Sequence, residues 1–197
     1  MEHLKSLLDF LHSVYPLSEE LKNHLIKTVK IKEIQKKKFL LKAGHVSNII
    51  CFIQKGLLRC FQVNDREEVS TWFMKEGDVI ISVSSFYEQK ISNEYIQALE
   101  DTILCYLSYS ELMHIYKEYI GFNYNGRTLT EKYHTHWVEY TDAMRRKNAR
   151  DRYFWMVNKF PELIQRVPSK YLASYLNMNE VTLSRIKGRP RRKKVIS

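Results

Sequence analysis

The hydrophobic period of this chain changes twice, near Ile31 and near Ser110, and those changes limit what it can fold into. Between them lie short runs dense in Val, Ile, Phe, Tyr, Trp and Thr: IKEI, FLLKAG, NIICFIQKGLLRCFQV, VSTWFMKEGDVII and YIQALEDTILCYLS. Turn signals separate the runs at short intervals, which is the pattern of an all-β sandwich or barrel. Three of the six glycines, Gly44, Gly56 and Gly77, fall between runs, where a turn needs positive φ or close backbone approach. NDRE at 64–67 reads as a hairpin loop. Upstream, Leu4, Leu7, Leu8, Leu11 and Val14 follow helical spacing and predict a surface helix.

From Ser110 the period is helical. Ser110 is the expected N-cap of ELMHIYKEY. A stripe then runs through Phe122, Gly126, Leu129, Tyr133, Trp137, Tyr140 and Met144, at spacings of 4, 3, 4, 4, 3 and 4. That narrow seam suits one long helix packed on another. Leu129, Tyr133, Trp137, Tyr140 and Met144 are therefore the expected dimer seam; the other reading is that the helix packs on its own β domain. Gly126 marks either a close crossing or a later helix start. After RRKNARDR, the run YFWMVNKF is helical and Pro161 ends it. A β region followed by helices makes the fold class α+β.

The stretch VPSKYLASYLNMNEVTLSRIKG, 167–188, holds two short helical patterns. Ser169 is the expected cap of the first, whose Leu172 and Leu176 share a face. Ala173 is small enough for a second helix to pass closely. Asn177 occupies the turn, and Asn tolerates the left-handed conformation. Met178, Leu183 and Ile186 continue the apolar register. Two helices crossing steeply over one small core form a helix-turn-helix. Asn179, Glu180, Val181, Thr182, Ser184, Arg185 and Lys187 are left outward. Arg pairs with guanine, Glu accepts from cytosine, and Ser or Thr serves bases or phosphates.

Charge falls in the same place. Of the net +10, the residues from Met144 onward hold fifteen Lys or Arg against three acids, while the first 143 residues hold 17 basic and 19 acidic groups. An excess confined to one end points to a polyanion partner. Double-stranded DNA is the expected partner, with Arg185 first among base contacts and Glu180, Thr182, Ser184 and Asn179 beside it. Ser169, Lys170, Lys187, Arg189, Arg191 and Arg192 are expected on phosphates.

Other classes are disfavoured. No apolar run approaches the roughly 20 residues of a membrane span, and MEHLKSLLDFLHSVYPLSEE is a poor signal peptide, so the expected location is cytoplasmic, without membrane association. Cys51, Cys60 and Cys105 lack CxxC spacing and sit in apolar runs, as buried reduced thiols would. EKYHTH, with Glu131, His134 and His136, carries one Glu-x-x-His element, whereas a di-iron bundle needs a second copy. There is no GxSxG, P-loop or dinucleotide signature. The expectation is a protein that is not an enzyme and holds no metal or cofactor.

As a whole the layout resembles the Crp/Fnr superfamily of bacterial transcription regulators. The resemblance rests on FLLKAG (39–44), FIQKGLLR (52–59), KEGDVI (75–80), ALEDT (98–102) and ASYLNMNEVTLSRI (173–186). It implies an N-terminal antiparallel β-roll of the cyclic-nucleotide-binding type over 1–118, a dimerisation helix over 119–147 and a winged-helix-like helix-turn-helix over 148–197. It also implies a homodimer on a pseudo-palindromic operator, with RNA polymerase as a further partner. Departures from the family are equally informative. Ile81 and Ser82 stand where cyclic-AMP-binding members have Gly-Glu, and Ser92 stands near their phosphate-binding Arg. The sensor is therefore expected to be degenerate and not to answer cyclic AMP. Any other effector would meet a pocket of Ser82, Ser84, Ser85, Lys90, Ser92 and Asn93. Val181 stands where the family often has a recognition glutamate, and the chain after Ile186 looks short for a wing. The rival reading is a non-enzymatic ligand- or partner-binding module whose basic end meets nucleic acid without reading sequence.

Overall fold

The computed structural model describes residues 2–146 and 148–188. Two N-terminal helices, α1 (Glu2–Val14) and α2 (Glu19–Thr28), precede eight strands. The strands are β1 (Lys30–Ile34), β2 (Phe39–Leu41), β3 (Ile49–Lys55), β4 (Leu57–Asn64), β5 (Glu67–Lys75), β6 (Val79–Ile80), β7 (Tyr95–Ala98) and β8 (Thr102–Ser108), with a short helix α3 (Val83–Glu88) after β6. They form two four-stranded antiparallel sheets, ordered β1-β8-β3-β6 and β2-β7-β4-β5. Each run read as β in the sequence forms strands here: IKEI is β1, FLLKAG holds β2, and each longer run holds two strands that go to different sheets. Asp65 and Arg66, both at positive φ, turn the β4–β5 hairpin. Gly56 has φ 105° and lies so close to Thr102 and the Asp101 carbonyl that a Cβ would collide with them.

The sheets face one another over Ile34, Cys51, Ile53, Ile80 and Leu104 from the first and Leu58, Cys60, Met74, Ile96 and Ala98 from the second. All three cysteines are buried and reduced. Burial pushes Cys51 up to about 12 and raises Cys60 and Cys105 as well, so all three remain protonated thiols.

Each sheet is also covered on its outside. Leu7, Leu11, Leu21 and Leu25 of α1 and α2 cover Phe52, Cys105 and Leu107, joined by Leu112 and Ile115 of α4 (Tyr109–Glu118). Helix α4 starts two residues before expectation. Ser108, not Ser110, is its N-cap, because Glu111 lies three residues on and completes a capping box. On the other side, Leu57, Phe73 and Leu99 meet a C-terminal unit of α6 (Ala149–Lys159), α7 (Pro161–Arg166), α8 (Ser169–Tyr175) and α9 (Glu180–Lys187).

The long helix α5 (Phe122–Arg146) links the layers and corrects the seam expectation. Phe122 belongs to the first outer cluster, Tyr133 packs on the inter-sheet core, and Tyr140 and Met144 pack on the C-terminal cluster. Leu129 lines the gap beside Leu107 and Phe122. The Tyr133 hydroxyl accepts a 2.7 Å bond from the Val79 amide. Of the five seam residues only Trp137 is exposed, at 45%; the stripe packs on the chain's own body. Gly126 is a close crossing, since a Cβ there would meet the Tyr116 ring.

Polar contacts fix the C-terminal unit to the second sheet. Arg166 donates through Nη1 and Nη2 to Glu76 (2.8 and 2.9 Å), and through Nε and Nη2 to Glu100 (3.0 and 2.6 Å). Arg59, fully buried on β4, donates to Ser70 and Glu68 and lies between the Phe61 and Tyr171 rings at 4.3 and 3.8 Å. Ser174 of α8 accepts from the Ser70 amide and donates to the Glu68 carbonyl.

Burial alone would raise Glu76, but the bonds from Arg166 and the Gly56 amide outweigh it and hold the carboxyl at about 2. A carboxylate held below its unfolded value near 4.3 adds stability above that value and loses it as pH falls toward 2. Arg166→Ala should therefore lower the melting temperature clearly at about pH 7 and much less at about pH 3. Thermal unfolding at both values checks this; an equal gap would remove the clamp from the stability of the fold.

Candidate nucleic-acid interface

The helix-turn-helix forms where the sequence places it, with two local corrections. Asn177 has φ 50°. The Met178 amide donates to the Ala173 carbonyl and the Asn177 amide to the Ser174 carbonyl, the paired bonds of a Schellman end. Helix α6 steadies the turn, as Arg152 Nη2 donates to the Asn177 carbonyl at 2.9 Å. Leu172, Ala173, Leu176 and Leu183 are buried where α8 and α9 cross.

Ser169 is not a cap. It lies inside the first turn of α8, after Pro168, and its hydroxyl accepts from Lys187 Nζ at 3.1 Å, joining the start of α8 to the end of α9. Asn179 is the cap of α9, its side chain accepting from the Thr182 amide at 2.8 Å. Pro168 sets the first turn of α8 one residue earlier and no side chain caps it, whereas α9 takes the Asn179 oxygen as the acceptor for a free amide.

Along α9, Glu180, Val181, Ser184, Arg185 and Lys187 are exposed and Thr182 is half-buried. They form one outward face, with Lys170 exposed on α8 nearby in sequence. Arg189, Arg191 and Arg192, and with them any wing, lie outside the described residues.

The six residues read as an effector pocket do not converge. Ser82, Ser85 and Ser92 are buried, whereas Ser84, Lys90 and Asn93 are exposed. Ser82 Oγ lies 3.0 Å from Ser92 Oγ and donates to Glu94 at 2.6 Å. The Glu94 amide donates to Ser92 at 2.9 Å. Ser85 donates to the Lys90 carbonyl and accepts from the Ser47 amide. Lys90 itself pairs with Glu88 at 2.9 Å. The Glu94 carboxylate thus takes the Ser82 hydroxyl, while Ser92 and Ser85 are held by Ser82 and by backbone groups. Glu94 was not legible in advance, since nothing local marks one more glutamate as the partner of Ser82.

The EKYHTH residues also disperse. Glu131 pairs with Arg127 at 3.5 Å, His134 is exposed, and His136 is half-buried among aromatic rings. Among the described residues no group of three or more His, Cys, Asp or Glu could hold a metal ion, and no helix is long and apolar enough to cross a membrane.

Residues 31–119 match the family model of the cyclic nucleotide-binding domain. A CooA variant from Carboxydothermus hydrogenoformans superposes with a TM-score of 0.67 at 20% identity, over 86% of this chain and 79% of its own. FixK2 from Bradyrhizobium japonicum gives 0.68 at 14% identity, over 81% and 83%. A structure from Eubacterium rectale described as of the crp/fnr family gives 0.66 at 14% identity, over 88% and 85%. The fold is that of the Crp/Fnr regulators. At these identities the likeness is one of fold, and the roll, long helix and C-terminal helices of the Crp/Fnr fold are all present here. No curated protein sequence matches the chain.

In this roll, the Ser82–Ser92–Glu94 network offers a cyclic phosphate no cation and one opposing charge. Calorimetric titration with cyclic AMP to about millimolar concentration should give no saturable heat; micromolar affinity would show a phosphate seat elsewhere in the roll.

Proposed function

We propose that the protein is a homodimeric, sequence-specific DNA-binding transcription regulator whose sensor domain does not answer cyclic AMP. The observation that carries the reading is the capped helix-turn-helix, with its crossing buried and the outward face of α9 left open. Arg185 is the leading base contact, with Glu180, Thr182 and Ser184 on the same short helix. Asn179 and Lys187 already serve the local fold, so their contribution to DNA is the smaller one. Lys170, with the basic residues after Gly188, would hold phosphates and add affinity without sequence choice.

A dimer would not use the stripe, which the chain itself covers. It would use the exposed side of α5 beside the stripe, where Trp137, the one stripe residue left exposed, and Val138 are 45% and 52% exposed. Two copies would then set their α9 helices about one turn of DNA, roughly 34 Å, apart over a pseudo-palindrome. The setting is cytoplasmic, no chemistry is catalysed, and RNA polymerase is the partner expected beyond DNA.

Selection from a random duplex pool with purified protein tests the whole reading. A two-fold symmetric motif is expected. Enrichment of no sequence, despite weak binding, would favour the module that meets nucleic acid without reading it.

Against the selected site, Arg185→Ala should cost about 1–3 kcal/mol and relax preference at one base position. Competition binding over single-base variants checks this, and uniform weakening across all of them would make Arg185 a phosphate contact.

A further inference from the structure

A cleft of about 540 Å³ opens where β5, α5 and the C-terminal unit meet. None of the six predicted pocket residues lines it. Its walls are rings: Trp72 from β5, Tyr133 and His136 from α5, Phe160 at the end of α6 and Tyr175 from α8. His136 is the hub, 4.7 Å from Trp72 and 5.0 Å from Phe160, which stands edge-on to it. Its Nε2 is 3.5 Å from the Tyr175 hydroxyl. Burial pushes the imidazole's pKa down, which keeps it neutral near pH 7, able to donate and accept without charge.

The rim carries charges, but they are matched. Lys132 meets Asp78 at 3.6 Å, Lys159 meets Glu139 at 2.8 Å, and Glu131 meets Arg127 at 3.5 Å. No cation among these faces the cleft without an acid beside it, so the rim gives an anionic ligand little advantage. The volume falls within the roughly 300–1,000 Å³ of small-molecule sites, and such sites favour junctions between units. Aromatic walls favour offset or edge-on contact with a further ring.

We propose that this cleft binds a neutral planar aromatic small molecule, packed against Trp72 and Phe160 and hydrogen-bonded to the His136–Tyr175 pair. Such a ligand touches the roll, the long helix and the C-terminal unit together and stabilises their docked arrangement. The binding stands whether or not the chain reads DNA.

The probe is N-phenyl-1-naphthylamine, an uncharged aromatic amine whose emission rises in apolar surroundings. Titration into the full chain should saturate at one site per chain, with quenching of tryptophan emission. Thr135 is exposed at the mouth of the cleft, and Thr135→Trp should weaken binding by about tenfold or more. Thr128→Trp is the second blocking variant if the first does not fold, judged by circular dichroism. His45→Trp lies in a separate cleft, lined also by Lys42 and Ser47, and should leave affinity unchanged. Non-saturable binding, no binding, or affinity indifferent to the blocking variants would overturn the proposal, as would loss of affinity in His45→Trp.

Discussion

Strand β4 sets the terms for the rest of the molecule. Leu57, Leu58, Arg59, Cys60 and Phe61 are buried in succession, although side chains on a strand alternate between faces. A sheet with this strand at its centre needs cover on both sides. Leu58 and Cys60 face the inter-sheet core, while Leu57 lies in the cluster shared with the C-terminal helices. The helix-turn-helix unit is therefore the lid of a sheet that would otherwise expose apolar surface to water. Arg59 shares that covered side and is the one charge in the run. Its burial is tolerable only because Glu68, Ser70 and two flanking rings stand around it.

The same logic explains why α5 is not free along its apolar stripe. The helix runs past all three clusters, and each third or fourth residue meets the next: Phe122 at the N-terminal helices, Tyr133 at the inter-sheet core, Tyr140 and Met144 at the C-terminal unit. Tyr140 continues into the helix-turn-helix, donating to the Tyr175 carbonyl at 2.9 Å with the two rings stacked at 4.7 Å. A helix in this position is a spine for the monomer first. In the proposed dimer, pairing would fall to the exposed side of the helix, at whose edge Trp137 rests partly on Trp72 and partly in solvent.

Much of this was legible in the sequence, for reasons that also mark where legibility ends. The β runs were readable because each is bounded by residues with a steric need, and Gly44, Gly56 and Gly77 all have positive φ. The helix-turn-helix was readable because Ala173, Asn177 and Leu183 each answer a separate local demand. The stripe on α5 was readable as a stripe, but a spacing of 3 and 4 states only that something covers it, not what. The Ser108 cap was within reach, since Glu111 three residues on is its signature. Arg59 could have been singled out in the same way, as the lone charge in GLLRCF. The Arg166 clamp and the aromatic cleft were beyond reach, because Glu76, Glu100 and Arg166, like Trp72, His136 and Phe160, meet only through tertiary packing.

The placement of α9 follows from these contacts rather than from its own sequence. Helix α8 is bonded to β5 through Ser174, α7 is clamped by Arg166, and Arg152 holds the carbonyl of the turn. The orientation of the outward face is thus a property of the second sheet. In the roll the Glu94 carboxylate already takes the Ser82 hydroxyl beside Ser92, so that network brings no cation to an anionic ligand. The junction beside Trp72 is different, because it is built from the very elements that position α9. A change in packing there alters the sheet, the spine and the helix-turn-helix at once.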